Sequence, residues 1–213
     1  MGLFLQILFI LAVAAVGALW WFGVFPARPV THDILDQSMI LYREFQGSYE
    51  QLNSFFEETI NDLRGVISPD SSTMVGIFFD EPHRLFDKTR ARCAIGFILK
   101  EEDEKRKGQT VVSSNPGKYK TASIPKTMSL KLVVPYRGAL TLALIGHFWE
   151  RVKKQFFAEG LKRQPDTPAV EVYNMTKRGQ KTVQLFYPLE NFKEITSLST
   201  IEKPPSLELN TRN

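Results

Sequence analysis

The chain is poor in the residues that most often announce chemistry. It has a single cysteine, Cys93, among 213 residues. No internal disulfide can form, and nothing calls for an oxidising compartment. Cys93 lies in "RARCAIGF", a strand-like run where a small buried hydrophobe is expected rather than a nucleophile. The three histidines, His32, His83 and His147, show no HxxxH spacing, and a lone cysteine rules out CxxC. A metal site is therefore not expected. GxSxG, GxGxxG and the P-loop are missing too, which removes the signatures of a hydrolase elbow, a dinucleotide fold and an NTPase. No enzyme activity, catalytic residue or cofactor is expected.

Charge is not lopsided either. Twenty-seven Lys and Arg stand against 23 acids, for a net +4. Nucleic-acid binders concentrate basic residues on one stripe. The dense basic cluster here is Arg151, Lys153, Lys154, Lys162 and Arg163, with Glu150 and Glu159 among them. It reads either as a solvated helix face or as a patch against anionic lipid, favoured by roughly 1 kcal/mol per basic residue. No nucleic-acid partner is expected.

What the chain does have starts at its N-terminus. Leu3 to Phe25 reads "LFLQILFILAVAAVGALWWFGVF", without a charge. A bilayer core takes ~20 helical residues, and Trp20, Trp21 and Phe22 suit the interface at the far end. A cleaved signal peptide needs a basic start and a shorter apolar core; here no Lys or Arg precedes the run. Gln6 stands where a myristoylation signal carries Ser or Thr. Residues 1–26 are read as a transmembrane anchor that meets lipid through residues 3–25. Arg28 and Arg43 follow the run, whereas its N-terminal side offers only the amine. That bias predicts a lumenal N-terminus and a cytosolic domain. The sequon "NMT" at Asn174 would carry a sugar only in the opposite orientation.

The rest is written twice. In the first copy "HDILDQSMILYREFQG" is β-like, "YEQLNSFFEETINDLRG" is a helix closed by Gly65, and "TMVGIFF" and "ARCAIGFILK" are strands. Leu52, Phe55, Phe56, Ile60 and Leu63 recur at helical spacing. In the second copy "TMSLKLVVPY" is a strand and "GALTLALIGHFWERVKKQFFAEG" one long helix, with Leu144, Phe148, Val152 and Phe156 on one stripe and Gly160 as C-cap. "AVEVYNM" and "KTVQLFYPL" close as a hairpin around "TKRGQ". The charged stretch 101–116 between the copies reads as a solvent loop. The expected fold is α+β: a duplicated βαββ with one antiparallel sheet and two helices on one face, preceded by one transmembrane helix. The halves run over about 31–100 and 117–195. The other sheet face is expected to be open or concave, with a ligand pocket between the halves.

"GIFFDEPHRLFDKTRARCAIGFILK", Gly76 to Lys100, looks at first like an active site. The second copy carries only "TKRGQ" at the same place, so the first copy reads as a longer hairpin connection. Asp80, Pro82 and His83 then serve as turn chemistry. Arg90 and Arg92 are expected to pair with Asp80, Glu81 or Asp87 at the surface, worth at most ~1 kcal/mol.

The layout resembles the GyrI-like domain, a ligand-binding module of bacterial multidrug-responsive regulators. It is more closely similar to the testis-expressed ER-phagy receptor family. The residues that carry this are "FFDEPHRLFDKTRARCAIGFIL", "IPKTMSLKLVVPYRGALTLALIG", "VEVYNM" and "LFYPLENF", in that order, after the anchor. The resemblance covers the anchor and residues 27–195. It implies a non-enzymatic, single-pass receptor of the endoplasmic reticulum membrane. Such a receptor acts in selective autophagy (reticulophagy) and recruits the ubiquitin-like autophagy modifier through a short linear motif. That motif has an aromatic residue, two others, then Leu, Ile or Val, and adds a strand to the modifier. In the family it lies in a long acidic tail. Here the tail, 196–213, is short and has no aromatic residue. The nearest fit is "FKEI", Phe192 to Ile195; the same two side chains would also suit packing on the sheet edge.

The GyrI-like resemblance also implies an acid within an aromatic pocket, which neutralises cationic ligands. The acids to weigh are Glu171 and Glu190. Strand alternation puts Glu171 and Tyr173 of "AVEVYNM" on one face, a candidate site for a cation or amphiphile. An exposed strand face would carry the same pair, and a protein-docking surface without a small ligand is a third reading.

Overall fold

The computed structural model describes residues 2–21, 28–63, 66–67, 73–80, 91–162, 167–175 and 181–189. Helix α1, Gly2–Trp21, is apolar and uncharged, and none of it is buried. Its length, about 30 Å at 1.5 Å per residue, and its composition suffice to cross a membrane.

Among the described residues the domain that follows is one eight-stranded antiparallel sheet with helices. Its elements are β1 (Thr31–Leu35), β2 (Ser38–Gly47), α2 (Tyr49–Leu63), β3 (Thr73–Phe78), β4 (Ala91–Leu99), α3 (Glu102–Ser114), β5 (Lys120–Ile124), β6 (Thr127–Pro135), α4 (Ala139–Ala143), α5 (Ile145–Ala158), β7 (Ala169–Asn174) and β8 (Thr182–Pro188). The strand order is β1-β6-β8-β7-β3-β4-β2-β5. It is a palindrome: the central pair β7·β3 joins the halves, and each outer strand is borrowed. β1 pairs with β6 of the second half, and β5 pairs with β2 of the first.

Three expectations need correction. Each half opens with two strands, not one. The run from His32 to Gly47 breaks at Asp36–Gln37, where the chain leaves one half's edge for the other's interior, and β5 has the same role before β6. Secondly, the stretch read as a solvent loop contains α3. Its charges sit where a helix uses them: Glu102, Asp103 and Glu104 fill the first turn, Glu101 and Glu104 form a reciprocal capping box, and Lys107 pairs with Asp103 at 2.8 Å. Gly108 and Val111 are buried, and a Cβ at Gly108 would stand 2.9 Å from Leu99. Gly108 is thus a close helix–sheet contact. Thirdly, the long second helix breaks at Leu144 into α4 and α5.

Other expectations hold. Phe148, Val152 and Phe156 are buried along α5. Gly160 follows that helix at φ +68°, a left-handed cap that glycine adopts without strain. Leu52, Phe55 and Phe56 of α2 pack on Phe45, Cys93 and Ile95, while Ile60 and Leu63 pack on Leu41, Phe97 and Leu99. Cys93 is the small buried hydrophobe expected of it, with burial pushing its thiol pKa up.

All the domain's helices lie on one face. Residues 93, 95, 97 and 99 of β4 point toward them, and Ala94 points away. The far face carries no helix among the described residues, yet Ile40, Ile77 and Val170 there are 0% exposed. One cluster joins Leu35 of the edge strand β1 to Ile124 of the opposite edge strand β5, through Tyr42, Val75, Val172 and Phe186. A face that no described helix covers, yet is buried to 0% exposure, is covered by the sheet curling on itself. That face is concave, as expected, but filled with its own side chains. At its rims Lys131 reaches Asp33 and Lys120 reaches Glu44, each at 2.8 Å.

The β3–β4 connection is held at its base. Arg92 Nε donates to Asp80 Oδ2 at 2.8 Å and Nη2 to Oδ1 at 2.9 Å, while the Arg92 backbone N–H donates to Oδ2 at 3.0 Å. The side chains are 9% and 11% exposed, so this bidentate pair is buried, not the surface pair expected. Pro82, His83, Asp87 and Arg90 lie outside the described residues.

Candidate functional site

Glu171 sits at the middle of β7, flanked by β3 and β8, with Gly76 and Leu185 as its cross-strand neighbours. Gly76 presents no side chain beside it. Alternation sends Val170 and Val172 into the filled concave cluster, and Tyr173 into the opposite layer beneath α5. Glu171 and Tyr173 do share a face, but it is the helix-covered one. A pocket on the open sheet face is thus corrected: that face is packed, and the candidate acid points the other way.

Glu171 is 4% exposed. Its Oε1 accepts from the indole Nε1 of Trp149 on α5 at 2.7 Å, and its Oε2 accepts a short hydrogen bond from the Tyr173 hydroxyl. The Tyr173 ring lies edge-on to Phe56 of α2 at 5.5 Å and to Tyr136 at 6.3 Å. Tyr187 stands 6.3 Å from the Trp149 ring. The result is a carboxyl packed among aromatic rings beneath α2 and α5. Among the described residues it makes no ion pair. Burial holds its pKa above the ordinary 4.5, and the donors Tyr173 and Trp149 offset that only partly. Burial and the neighbouring carboxylate raise the Tyr173 phenol as well. A buried acid with neutral donors and no cation is poised to hold a proton or to exchange it for a cationic ligand.

Alternation and composition pointed to Glu171 and Tyr173, but not to Trp149, Tyr136 or Phe56. The signal lay in α5: Trp149 sits one position past the buried stripe residue Phe148, on the flank that faces the sheet. His147 is exposed. His32 belongs to β1, where its ring bonds Glu159 at 2.8 Å. No group of three or more His, Cys, Asp or Glu could hold a metal among the described residues. Phe192, Ile195 and Glu190 lie outside the described residues.

The raised carboxyl has a measurable consequence. The folded chain holds this proton more tightly than the unfolded chain. The stability it lends is full below about pH 4.5 and falls as pH rises through the folded pKa. Glu171→Gln should remove that slope. Urea midpoints from pH 4 to 8 should decline more for wild type than for the variant, and parallel curves would refute the assignment.

No protein-family model and no curated protein sequence matches the chain. Among solved structures it is similar to the EcmrR C-terminal domain (8% identity, TM-score 0.51), over 78% of this chain and 99% of that one. It is also similar to the chain in a cryo-EM structure of an EcmrR–DNA complex (7% identity, TM-score 0.53), over 84% of this chain and 63% of that one. The chain thus spans under two thirds of that longer protein. The GyrI-like α+β architecture, with a curled antiparallel sheet behind an N-terminal apolar helix, is the fold of this chain.

Proposed function

We propose that this chain is a membrane-anchored, non-enzymatic binding protein that captures a cationic or amphiphilic small molecule at Glu171. One observation carries the reading: a carboxyl 4% exposed, held by Trp149 and Tyr173 and ringed by Phe56, Tyr136 and Tyr187. A cation placed there gains a desolvated charge partner and aromatic faces together. The aromatic cover must part to admit it. Capture displaces the carboxyl proton, so affinity rises with pH. The probe is a lipophilic aromatic cation, rhodamine 6G, titrated into the full chain in nanodiscs, with Glu171→Gln beside wild type. Wild type should bind roughly tenfold or more tightly than the variant. Equal affinities at pH 7.5 would sink the proposal.

A second reading rests on the resemblance and on one observation, a membrane-length helix placed directly before a GyrI-like domain. In it the chain sits in the endoplasmic reticulum membrane with the domain cytosolic, and recruits the ubiquitin-like autophagy modifier through Phe192 and Ile195. The modifier should capture the full chain from nanodiscs, and Phe192→Ala should abolish capture. Failure of wild type to bind removes this reading and leaves the first untouched. Orientation has its own readout at Asn174, which ends β7 and accepts the Thr73 hydroxyl at 3.3 Å. Protein made in cells should show no endoglycosidase-sensitive sugar there.

A further inference from the structure

We infer that the outward side of α4 and α5, with the corner at Arg137, is a lipid-apposed face that rests on the anionic headgroups of the bilayer entered by α1. The inference depends on α1 spanning that bilayer.

The first ground is the tether. The Arg151 guanidinium on α5 donates to the Arg28 carbonyl at 2.6 Å, which fastens the chain at residue 28 to that helix. From Trp21, the last residue of α1, to Arg28 the chain extends at most roughly 25 Å. Whatever the tilt of α1, the part of α5 around Arg151 stays within that reach of the membrane surface. The second ground is a direct contact: the exposed Arg137, just after β6, lies with its guanidinium carbon 4.8 Å from the centre of the Trp21 ring. An interfacial tryptophan and an arginine stacked on it belong at headgroup depth.

The third ground is the chemistry of the face. On α5 the exposed His147, Lys154 and Phe157 follow helical spacing opposite the buried Phe148, Val152 and Phe156. Phe157 is 60% exposed and Leu140 of α4 is 41% exposed. Long cationic side chains interleaved with outward Leu and Phe suit a headgroup layer, where the cations meet phosphates and the apolar groups dip beneath them. The acids nearby are already engaged: Glu159 by His32 and Gln155, and Glu150 by Lys153. Lys154 and Arg137 therefore dominate the outward charge. A soluble protein docking here would have to fit into the gap left by a tether of roughly 25 Å, which favours lipid as the occupant.

The test uses the full chain in vesicles of phosphatidylcholine alone or with phosphatidylserine added. Nitroxides are placed one at a time by Leu140→Cys and Phe157→Cys. Gln109→Cys, exposed on α3, and Val13→Cys, within α1, serve as references; the buried Cys93 stays unlabelled. In anionic vesicles positions 140 and 157 should lose contact with a water-soluble relaxation agent and gain contact with oxygen, while position 109 does not change. Neutralising Arg137 and Lys154 to Gln should lower the lipid-bound population by roughly fivefold per charge. Positions 140 and 157 as wet as 109, with 13 embedded in lipid, would overturn the face and leave the anchor standing. A wet position 13 would overturn both.

Discussion

Asp80→Ala should destabilise the domain by about 3–5 kcal/mol, the cost of breaking one side of a buried ion pair. Among the described residues Arg92 gives the carboxylate three donors: Nε at 2.8 Å, Nη2 at 2.9 Å and the backbone N–H at 3.0 Å. With side chains only 9% and 11% exposed, water replaces those bonds poorly, and alanine takes from a buried guanidinium the carboxylate that holds two of its nitrogens. The loss falls at the first residue pair beyond the β3–β4 ladder, where Phe79 N–H also bonds the Arg92 carbonyl at 3.1 Å. The double variant Asp80→Asn with Arg92→Met should recover most of the stability. It removes both charges, keeps an acceptor for the backbone N–H and fills the stem volume. Urea unfolding of the full chain in nanodiscs measures all three proteins. A double variant as weak as the single would show that packing of the arginine stem, not stranded charge, sets the cost.

Gly96→Ala should cost about 3 kcal/mol or more, at or beyond the top of the usual overpacking range. A Cβ there would stand 1.9 Å from the Leu41 carbonyl oxygen and 2.7 Å from the Leu41 carbonyl carbon and the Tyr42 Cα. These are backbone atoms, so no rotamer relieves the clash. Relief requires β2 to move off β4 in the middle of a ladder that runs from Met39↔Leu99 to Gly47↔Ala91. Gly76→Ala is the matched control. Its Cβ would first meet the Phe78 ring, at 2.8 Å, which can swing away, and a cost of about 1 kcal/mol is expected. Equal unfolding midpoints for the two variants would refute the steric account.

The duplication, the helix stripes and the strand alternation were legible because each is a local periodicity. Gly96 could be read as part of "CAIGF", yet its reason, the approach of the Leu41 carbonyl, comes from a partner strand far away in sequence. The same holds for Arg92: its local context is a charged hairpin, and its burial is decided by where Phe79 and the curled sheet place it. The charge density of α3 counts toward a loop until the spacing Asp103–Lys107 and Glu101–Glu104 is treated as helical pairing. For Glu171, alternation gave the right companion, Tyr173. Which layer the pair enters depends on the helices covering one face and the sheet closing the other by curling. No window of a few residues contains that information.

The palindromic strand order also bears on how the chain is made. Asp33 of β1 meets Lys131 of β6, 98 positions downstream, and β2 waits for β5 at its outer edge. Contacts that far apart close slowly. A ribosome that has just finished β4 has produced neither outer partner, so the nascent first half offers β2 as an open edge. A peptide released near residue 100 would carry that edge beside a membrane-length helix. Such a fragment should aggregate or be cleared rather than persist as half a domain, and pulse-labelled protein should resist protease only after β6 and β8 have left the exit tunnel.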